Sequence, residues 1–256
     1  MNKSASLKYR EVLEYILVNQ KATVQELSSI FFLSESTVRR VLSELEKENF
    51  IERFHGGAVV KGADIKSEAL NKRKNYMTRQ KAAIALKAVS FIKDGMTVIM
   101  LGGTTVHAMC QYLKGRHLTV ITTSIPVAND LMLEPNMKII LLGGIINPQE
   151  YEVRGAMTKA SLERLRADLV FVGATNIHEQ HGLMTDDPDA VDTYRACLES
   201  ADRKLLLADS TKFRPGGAAV VARLDELDDI ITDYQISEAT IQKLKLANIN
   251  IHIASK

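Results

Sequence analysis

The sequence predicts an α/β protein in two parts. A helical front end closed by a β-hairpin comes first, and a domain built on a mostly parallel sheet follows. Three observations carry this. Residues 7 to 49 hold apolar side chains at helical spacing only. The turn His55-Gly56-Gly57 separates two short runs of strand character. From about Lys81 onward, apolar bursts alternate with helical patterns, the rhythm of a parallel sheet. The expected division is a front domain over 1–60, a linker over 61–80 and a second domain over 81–256.

In chain order, Leu7, Val12, Leu13, Ile16 and Leu17 mark a first helix. Thr23 and Glu26 fit a capping box for a second, with Val24, Leu27, Ile30 and Phe31 as its apolar face. Ser34 caps a third, whose Val38, Val41, Leu42 and Leu45 share one side. Phe50 to Phe54 and Ala58 to Val60 form the hairpin strands. Lys61 to Lys81 has no apolar period and carries seven basic residues against Asp64 and Glu68, which reads as a solvated linker before it reads as a phosphate-facing arm. The bursts that follow are Thr97–Leu101, Leu118–Ile121, Lys138–Leu142, Asp168–Val172, Lys204–Ala208, Asp229–Ile231 and Asn250–Ile253. Helical patterns at Val106–Leu113, Lys159–Leu165, Ala190–Ser200 and Ser237–Leu246 lie between them.

Composition narrows the class. The chain has 256 residues, 46% apolar and 25% charged, close to an ordinary globular protein, so collagen-like, coiled-coil and wholly disordered readings fall away. A net charge of +2 means that any basic surface is local. Two cysteines, Cys110 and Cys197, build neither a disulfide framework nor a metal-ligand spacing and point to a reducing cytoplasm. No apolar run approaches the roughly 20 residues of a membrane helix, and the N-terminus lacks a signal core.

At 100° per residue the third helix divides cleanly. Val38, Leu42 and Leu45 cluster on one side; Ser36, Arg40, Ser43 and Lys47 cluster on the other, with Thr37 and Arg39 at the margins. Guanidinium forks suit guanine edges or phosphates, and hydroxyls near a helix start suit phosphate. With the preceding helix and the turn at Phe32-Leu33, this is the pattern of a helix-turn-helix. The hairpin, flanked by Arg53 and His55, would make a wing beside it. The candidate DNA contacts are Ser34, Ser36, Thr37, Arg39, Arg40, Ser43, Arg53 and His55. The competing reading is a three-helix bundle with a solvated polar face.

Ser34-Glu35-Ser36-Thr37-Val38-Arg39-Arg40, then Leu42, Leu45-Glu46 and Arg53-Phe54-His55-Gly56-Gly57-Ala58, resemble the DeoR family of bacterial sugar-operon repressors across residues 7 to 60. The family's aspartate after the two arginines is Val41 here, at the edge of the buried face. The resemblance implies a repressor that binds double-stranded operator DNA, with symmetric dimers or tetramers suiting paired half-sites.

In the second half, Thr97–Leu101 runs into Gly102-Gly103-Thr104-Thr105 and a helix start, an arrangement suited to an anion. It lacks the spacing of dinucleotide or nucleotide phosphate loops, so a small phosphorylated ligand fits better than NAD or ATP, and no cofactor is expected. Other strand ends share that edge of a parallel sheet: Thr122-Thr123-Ser124, Gly143-Gly144, Gly173-Ala174-Thr175 and Asp209-Ser210-Thr211-Lys212. The candidate effector residues are Gly102, Gly103, Thr104, Thr105, Thr122, Thr123, Ser124, Gly143, Gly144, Gly173, Asp209 and Lys212.

To about Asp233 this half is similar to the DeoR effector domain, which is related to ribose-5-phosphate isomerase-type phosphosugar isomerases. The family's Asp-Ser-Gly-Thr-Thr appears as Leu101-Gly102-Gly103-Thr104-Thr105. Its Leu-Gly-Gly is Leu142-Gly143-Gly144, its Asp-Ser-Ser-Lys-Phe is Asp209-Ser210-Thr211-Lys212-Phe213, and its Thr-Asp is Thr232-Asp233. The resemblance implies a sugar-phosphate inducer that lowers DNA affinity. Leu101, Thr123 and Tyr194 depart from the family pattern, where an acid, an asparagine and a lysine are expected, so the phosphate cradle is retained while the sugar-end contacts differ.

Other signals are weaker. His178 and His181 make an H-x-x-H in an expected loop without a third metal ligand. Asp186, Asp187 and Asp189 precede a helix and read as caps or solvated groups. The cysteines read as core. A phosphosugar isomerase with a fused helical domain is the rival function, with Asp186, Asp187 or Asp209 as its base; the missing acid at Leu101 weighs against it. A non-specific DNA-binding protein is the third reading.

Overall fold

A computed structural model describes residues 3–19, 21–54, 56–60, 73, 75–246 and 249–255. The chain divides into two units, Met1–Ser67 and Glu68–Lys256. The expected linker falls largely on 61–72 and 74, outside the described residues.

In the first unit, α1 (Lys3–Asn19), α2 (Val24–Phe31) and α3 (Glu35–Lys47) meet over one apolar cluster. Val12, Ile16, Leu27, Val38, Leu42 and Leu45 are sealed from solvent in it. The capping box forms as read: the Thr23 hydroxyl accepts from the Glu26 N–H at 3.1 Å, and Glu26 Oε2 accepts from the Thr23 N–H at 3.0 Å. Phe32 ends α2 in the left-handed region at φ 52°, turning the chain within two residues toward Ser34. The wing pairs β2 (Ile51–Phe54) with β3 (Gly57–Val60), and Phe54 faces Gly57 across the turn. The sequence did not disclose β1 (Lys21–Thr23), too short to show a period, which pairs with β3 and gives the order β1-β3-β2. That pairing explains Gly57: a Cβ there would lie 2.4 Å from the Ala22 carbonyl oxygen.

The second unit holds a seven-stranded, all-parallel sheet. Its strands are β4 (Thr97–Met100), β5 (Leu118–Thr122), β6 (Met137–Leu141), β9 (Ala167–Gly173), β12 (Ala201–Leu207), β14 (Asp229–Asp233) and β15 (Asn250–Ala254). Their order is β15-β14-β12-β9-β4-β5-β6. These are the seven apolar bursts of the sequence. They read as continuous runs because apolar clusters cover both faces of the sheet. One cover is α4 (Thr78–Val89), whose Ile84, Ala85 and Ala88 are buried in the same cluster as Met100 and Leu205. The other helices are α5 (Thr104–His107), α6 (Cys110–Leu113), α7 (Ile125–Leu131), α8 (Ala156–Leu162), α9 (Val191–Glu199) and α10 (Glu238–Leu246).

Antiparallel additions escaped the sequence reading. A hairpin joins β7 (Ile145–Asn147) to β8 (Glu152–Arg154). A separate sheet pairs β10 (Asn176–His178), β11 (Gly182–Thr185) and β13 (Ala219–Ala222). His178 therefore ends a strand, and its ring stacks on His181 at 4.5 Å. The chain runs outward from β4 through β5 to β6, then returns to lay β9 on the other side of β4. The loops after β4 and β9 thus diverge at a topological switch point, where open parallel sheets bind ligands.

Candidate functional site

Two surfaces concern function, one in each unit. On α3, Ser34 is the N-cap: its hydroxyl accepts from the Thr37 N–H at 3.3 Å and lies within 3.0 Å of the Ser36 hydroxyl and 2.8 Å of the Thr37 hydroxyl. Arg39 and Arg40 are exposed, as is Ser36, while Thr37 and Ser43 are half-buried. The outward face is thus the one the helical arithmetic assigned, with Val41 buried at its margin. The two arginines differ in state. Arg39 pairs with Glu35 at 2.9 Å one turn earlier, whereas Arg40 has no ion pair among the described residues. On the wing, Arg53 is exposed, and its guanidinium stands 3.8 Å from the Glu46 carboxylate. His55 lies outside the described residues.

In the second unit, a cavity of about 400 Å³ opens at the switch point, within the range of about 300–1,000 Å³ usual for small-molecule sites. Gly102, Gly103, Thr104, Thr105, Gly173 and Lys212 line it, as the sequence proposed, together with Arg73, Glu150, Glu152, Asp186, Asp187, Tyr194 and Arg214. Gly103 adopts φ +105°, a conformation that favours glycine. A Cβ on Gly173 would approach the Gly102 carbonyl to 3.5 Å, so the two loops run side by side.

The expected helix behind the glycine loop is broken into α5 and α6, four residues each, so little aligned dipole backs the loop. Positive charge comes from side chains. Arg73 pairs with Glu150 at 2.6 Å, and Arg214 Nε donates to the side-chain Oδ1 of Asn176 at 2.9 Å. Lys212 is half-buried and has no ion pair among the described residues. Burial lowers its pKa from the ordinary lysine value, with Asp209 pulling the other way.

The remaining candidates serve other ends. Thr122 is sealed, its hydroxyl donating to the Met100 carbonyl at 2.6 Å. Ser124 caps α7 through the Val127 N–H at 3.4 Å. Thr123 presents its backbone carbonyl to the Val153 N–H at 2.8 Å, stitching β8 to the end of β5. The Gly143 carbonyl accepts from the Thr158 hydroxyl at 2.8 Å, and a Cβ on Gly144 would meet that hydroxyl at 2.3 Å. None of these five residues lines the cavity; Thr123 fastens the hairpin β7–β8, and a Cβ on Gly144 would also approach the Arg154 carbonyl of that hairpin. Asp209 is also sealed. Its Oδ1 organises the Ser210–Lys212 turn by accepting from the Thr211 N–H at 3.1 Å, and its Oδ2 has no hydrogen-bond partner among the described residues. Behind it, buried Lys81 donates to the carbonyls of Arg73 and Tyr76, and desolvation lowers its pKa to about 8.

Sequence reasoning missed Glu152. It lies in a three-residue strand that carries no readable period, and only 3% of it is exposed. The Tyr194 hydroxyl donates to it at 2.8 Å. Burial pushes its pKa up to about 7, with the Tyr194 and Gly102 hydrogen bonds pulling back. Arg73 was also missed, since nothing local marks it off from its basic neighbours. Asp187 caps the Pro188–Ala190 turn as expected, and it also pairs with Arg154.

Two further features were weighed. A second cavity, about 340 Å³, lies between β10 and α10, where the Lys243 ammonium is paired with Glu179 at 2.6 Å. His107, Cys110 and Asp130 bring potential ligand atoms within 4.8 Å of one another. Burial pushes the Cys110 thiol up to about 12, so the trio offers a neutral thiol beside a His–Asp pair 2.9 Å apart.

A winged helix-turn-helix presenting an arginine with no ion pair among the described residues, followed by a sheet domain with a switch-point cavity lined by both cations and acids, defines a DNA-binding regulator with a small-molecule sensor. Comparison with known proteins agrees. The DeoR-like helix-turn-helix domain matches residues 9–63 and the DeoR C terminal sensor domain matches residues 77–234. The chain belongs to the DeoR family of transcriptional regulators, which act on DNA and are not enzymes. It is 31% identical to the HTH-type transcriptional regulator GolR of Listeria innocua serovar 6a over 95% of this chain and 96% of that one. It is 28% identical to the glycerol-3-phosphate regulon repressor of Escherichia coli over 96% and 98%. A ribose 5-phosphate isomerase A from Methanocaldococcus jannaschii overlays on 52% of this chain and 53% of its own, at 18% identity and a TM-score of 0.39. Among the described residues, no helix is long and apolar enough to cross a membrane.

Proposed function

We propose that this regulator is a cytoplasmic repressor of a carbohydrate-catabolism operon, with operator affinity set by a phosphorylated sugar. Arg40 reads base edges in the major groove. Ser34, Ser36, Thr37, Arg39, Ser43 and the wing, with Arg53 and His55, fix the register on phosphates. The phosphate of the effector lies at Gly102–Thr105 and Lys212. A homo-oligomer, dimer or tetramer, places two recognition helices on paired half-sites.

The observation that carries the effector reading is Lys212: a half-buried ammonium beside a glycine-threonine loop, with no ion pair among the described residues, the carboxylates of Asp209 and Asp186 acting on it from beyond ion-pair distance. Such a charge costs stability until an anion arrives. The name of the Escherichia coli relative points the same way, since its regulon concerns a phosphorylated polyol. An effector that binds the DNA-free arrangement better lowers operator affinity by the same factor. Footprinting of the full chain on its own genomic neighbourhood, with and without a panel of sugar phosphates, tests this. Protection that one of them relieves is the expected result; protection untouched by all of them defeats the effector reading.

A further inference from the structure

An anion site does not account for Glu152. A buried acid with no ion pair among the described residues is costly; the neighbouring Arg154 is engaged with Asp187. Yet the fold invests in holding this carboxyl at the cavity wall. Oε1 accepts from Tyr194 on α9 at 2.8 Å, and Oε2 lies 3.5 Å from the Thr123 hydroxyl at the end of β5. Its strand is fixed on both sides, Val153 N–H to the Thr123 carbonyl at 2.8 Å and Ile125 N–H to the Tyr151 carbonyl at 2.9 Å. Gly102 makes room for it: a Cβ there would stand 2.2 Å from Oε2. The carboxyl is therefore wedged against the first residue of the anion loop and cannot swing away.

Three positions of this chain depart from the pattern it resembles, and they converge here. Thr123 and Tyr194 both touch Glu152, and Leu101 immediately precedes the glycine that admits it. A carboxylate offers about four lone-pair sites. Tyr194, Thr123 and the Gly102 N–H take part of that capacity, and the acid still lines the cavity. A hydroxyl donor on the ligand is the group that capacity suits.

We propose that Glu152 is the specificity-determining residue of this cavity, accepting a hydrogen bond from a hydroxyl of an effector whose phosphate lies at Gly102–Thr105 and Lys212. Tyr194 is its positioning residue. This rests on the phosphate reading above and narrows it to phosphate monoesters of sugars or polyols with a hydroxyl within reach of the anion loop. Inorganic phosphate meets only half of the site.

Titration calorimetry on the full-length protein decides the matter, with inorganic phosphate and with phosphorylated pentoses, hexoses, hexitols and glycerol 3-phosphate as ligands. In the unsubstituted protein the best organic phosphate binds at least tenfold more tightly than inorganic phosphate. In Glu152→Ala that gain falls by about tenfold. In Glu152→Gln, which keeps an acceptor, part of it returns. Tyr194→Phe lowers it about threefold and decides alone if Glu152→Ala does not melt cooperatively. A gain that survives these substitutions, or that the unsubstituted protein never shows, overturns the proposal while leaving the phosphate reading standing. Failure of every phosphate compound to bind the unsubstituted protein overturns both.

Discussion

The recognition helix and the sensor cavity are built by opposite means. On α3, every residue that matters comes from one stretch of 14, Ser34 to Lys47, and the helix alone decides which side chains face out. In the cavity, Arg73, Gly102, Glu152, Gly173, Tyr194 and Lys212 come from six separate segments and meet only because the chain reverses direction across β4. A local surface tolerates substitution of its contacts without loss of fold. A cavity assembled from loop ends ties ligand contacts to structural ones, so its residues carry both duties.

The sharpest way to break this comparison is through the cores. Leu42 is sealed beneath the recognition face. Leu42→Ala is expected to destabilise the first unit by about 2–5 kcal/mol, measured by chemical denaturation, and to abolish operator binding. Loss of operator binding without loss of stability would mean that Leu42 faces DNA.

Next comes an effect confined to the cavity. Glu152 holds a proton up to about pH 7 in the folded state, whereas the unfolded carboxyl releases it near 4.5. Between those values the folded state binds more protons, so stability falls as pH rises through the window. The loss is on the order of 3 kcal/mol by pH 8. The groups around it, Glu150, Tyr194 and Arg154, do not reverse the sign. Thermal melts from pH 5 to 8 should show this slope in the unsubstituted protein and a flatter one in Glu152→Gln. Equal slopes would show that Glu152 is not a buried acid.

The same contrast governs what the sequence disclosed. All seven parallel strands were visible because a strand covered on both faces must be apolar throughout, as Val170 to Val172 are. The capping box at Thr23 and the cap at Ser34 were visible because capping is local chemistry. The strands β1, β7, β8 and β10, three residues each, were not, since no period fits in three residues. Glu152 and Arg73 were hidden for that reason: their roles come from what the fold sets opposite them. Thr122, Ser124, Gly143 and Asp209 do not line the cavity, because a small or polar residue at a strand end serves equally well to cap a helix or fasten a turn.

Base reading and phosphate reading separate the two sites further. Arg40→Ala is expected to lower operator affinity by about 1–3 kcal/mol, concentrated at particular base positions in a mobility-shift series. An equal loss on every sequence would make Arg40 a phosphate contact. Lys212→Ala is expected to weaken inorganic phosphate about tenfold by calorimetry, roughly 1.4 kcal/mol. It should leave the melting temperature unchanged or raised, because it removes a half-buried unpaired charge. A fall in melting temperature would make Lys212 structural.

The smallest effect is the most discriminating within α3. Arg39 and Arg40 are adjacent and both exposed, but Arg39 is held by Glu35, with side chains 61% and 48% exposed. A solvent-exposed pair of that spacing contributes about 0.3–0.5 kcal/mol, so Arg39→Ala should barely move the denaturation midpoint. Its effect on DNA depends on whether the pair survives binding. If Arg39 stays with Glu35, Glu35→Ala frees it and raises non-specific affinity, with a steeper dependence on salt. If Arg39 leaves Glu35 for a phosphate, Arg39→Ala lowers affinity equally for all sequences and reduces the salt slope by about one. The phosphate role proposed for Arg39 predicts the second outcome, and mobility shifts with Arg39→Ala and Glu35→Ala at two salt concentrations distinguish them.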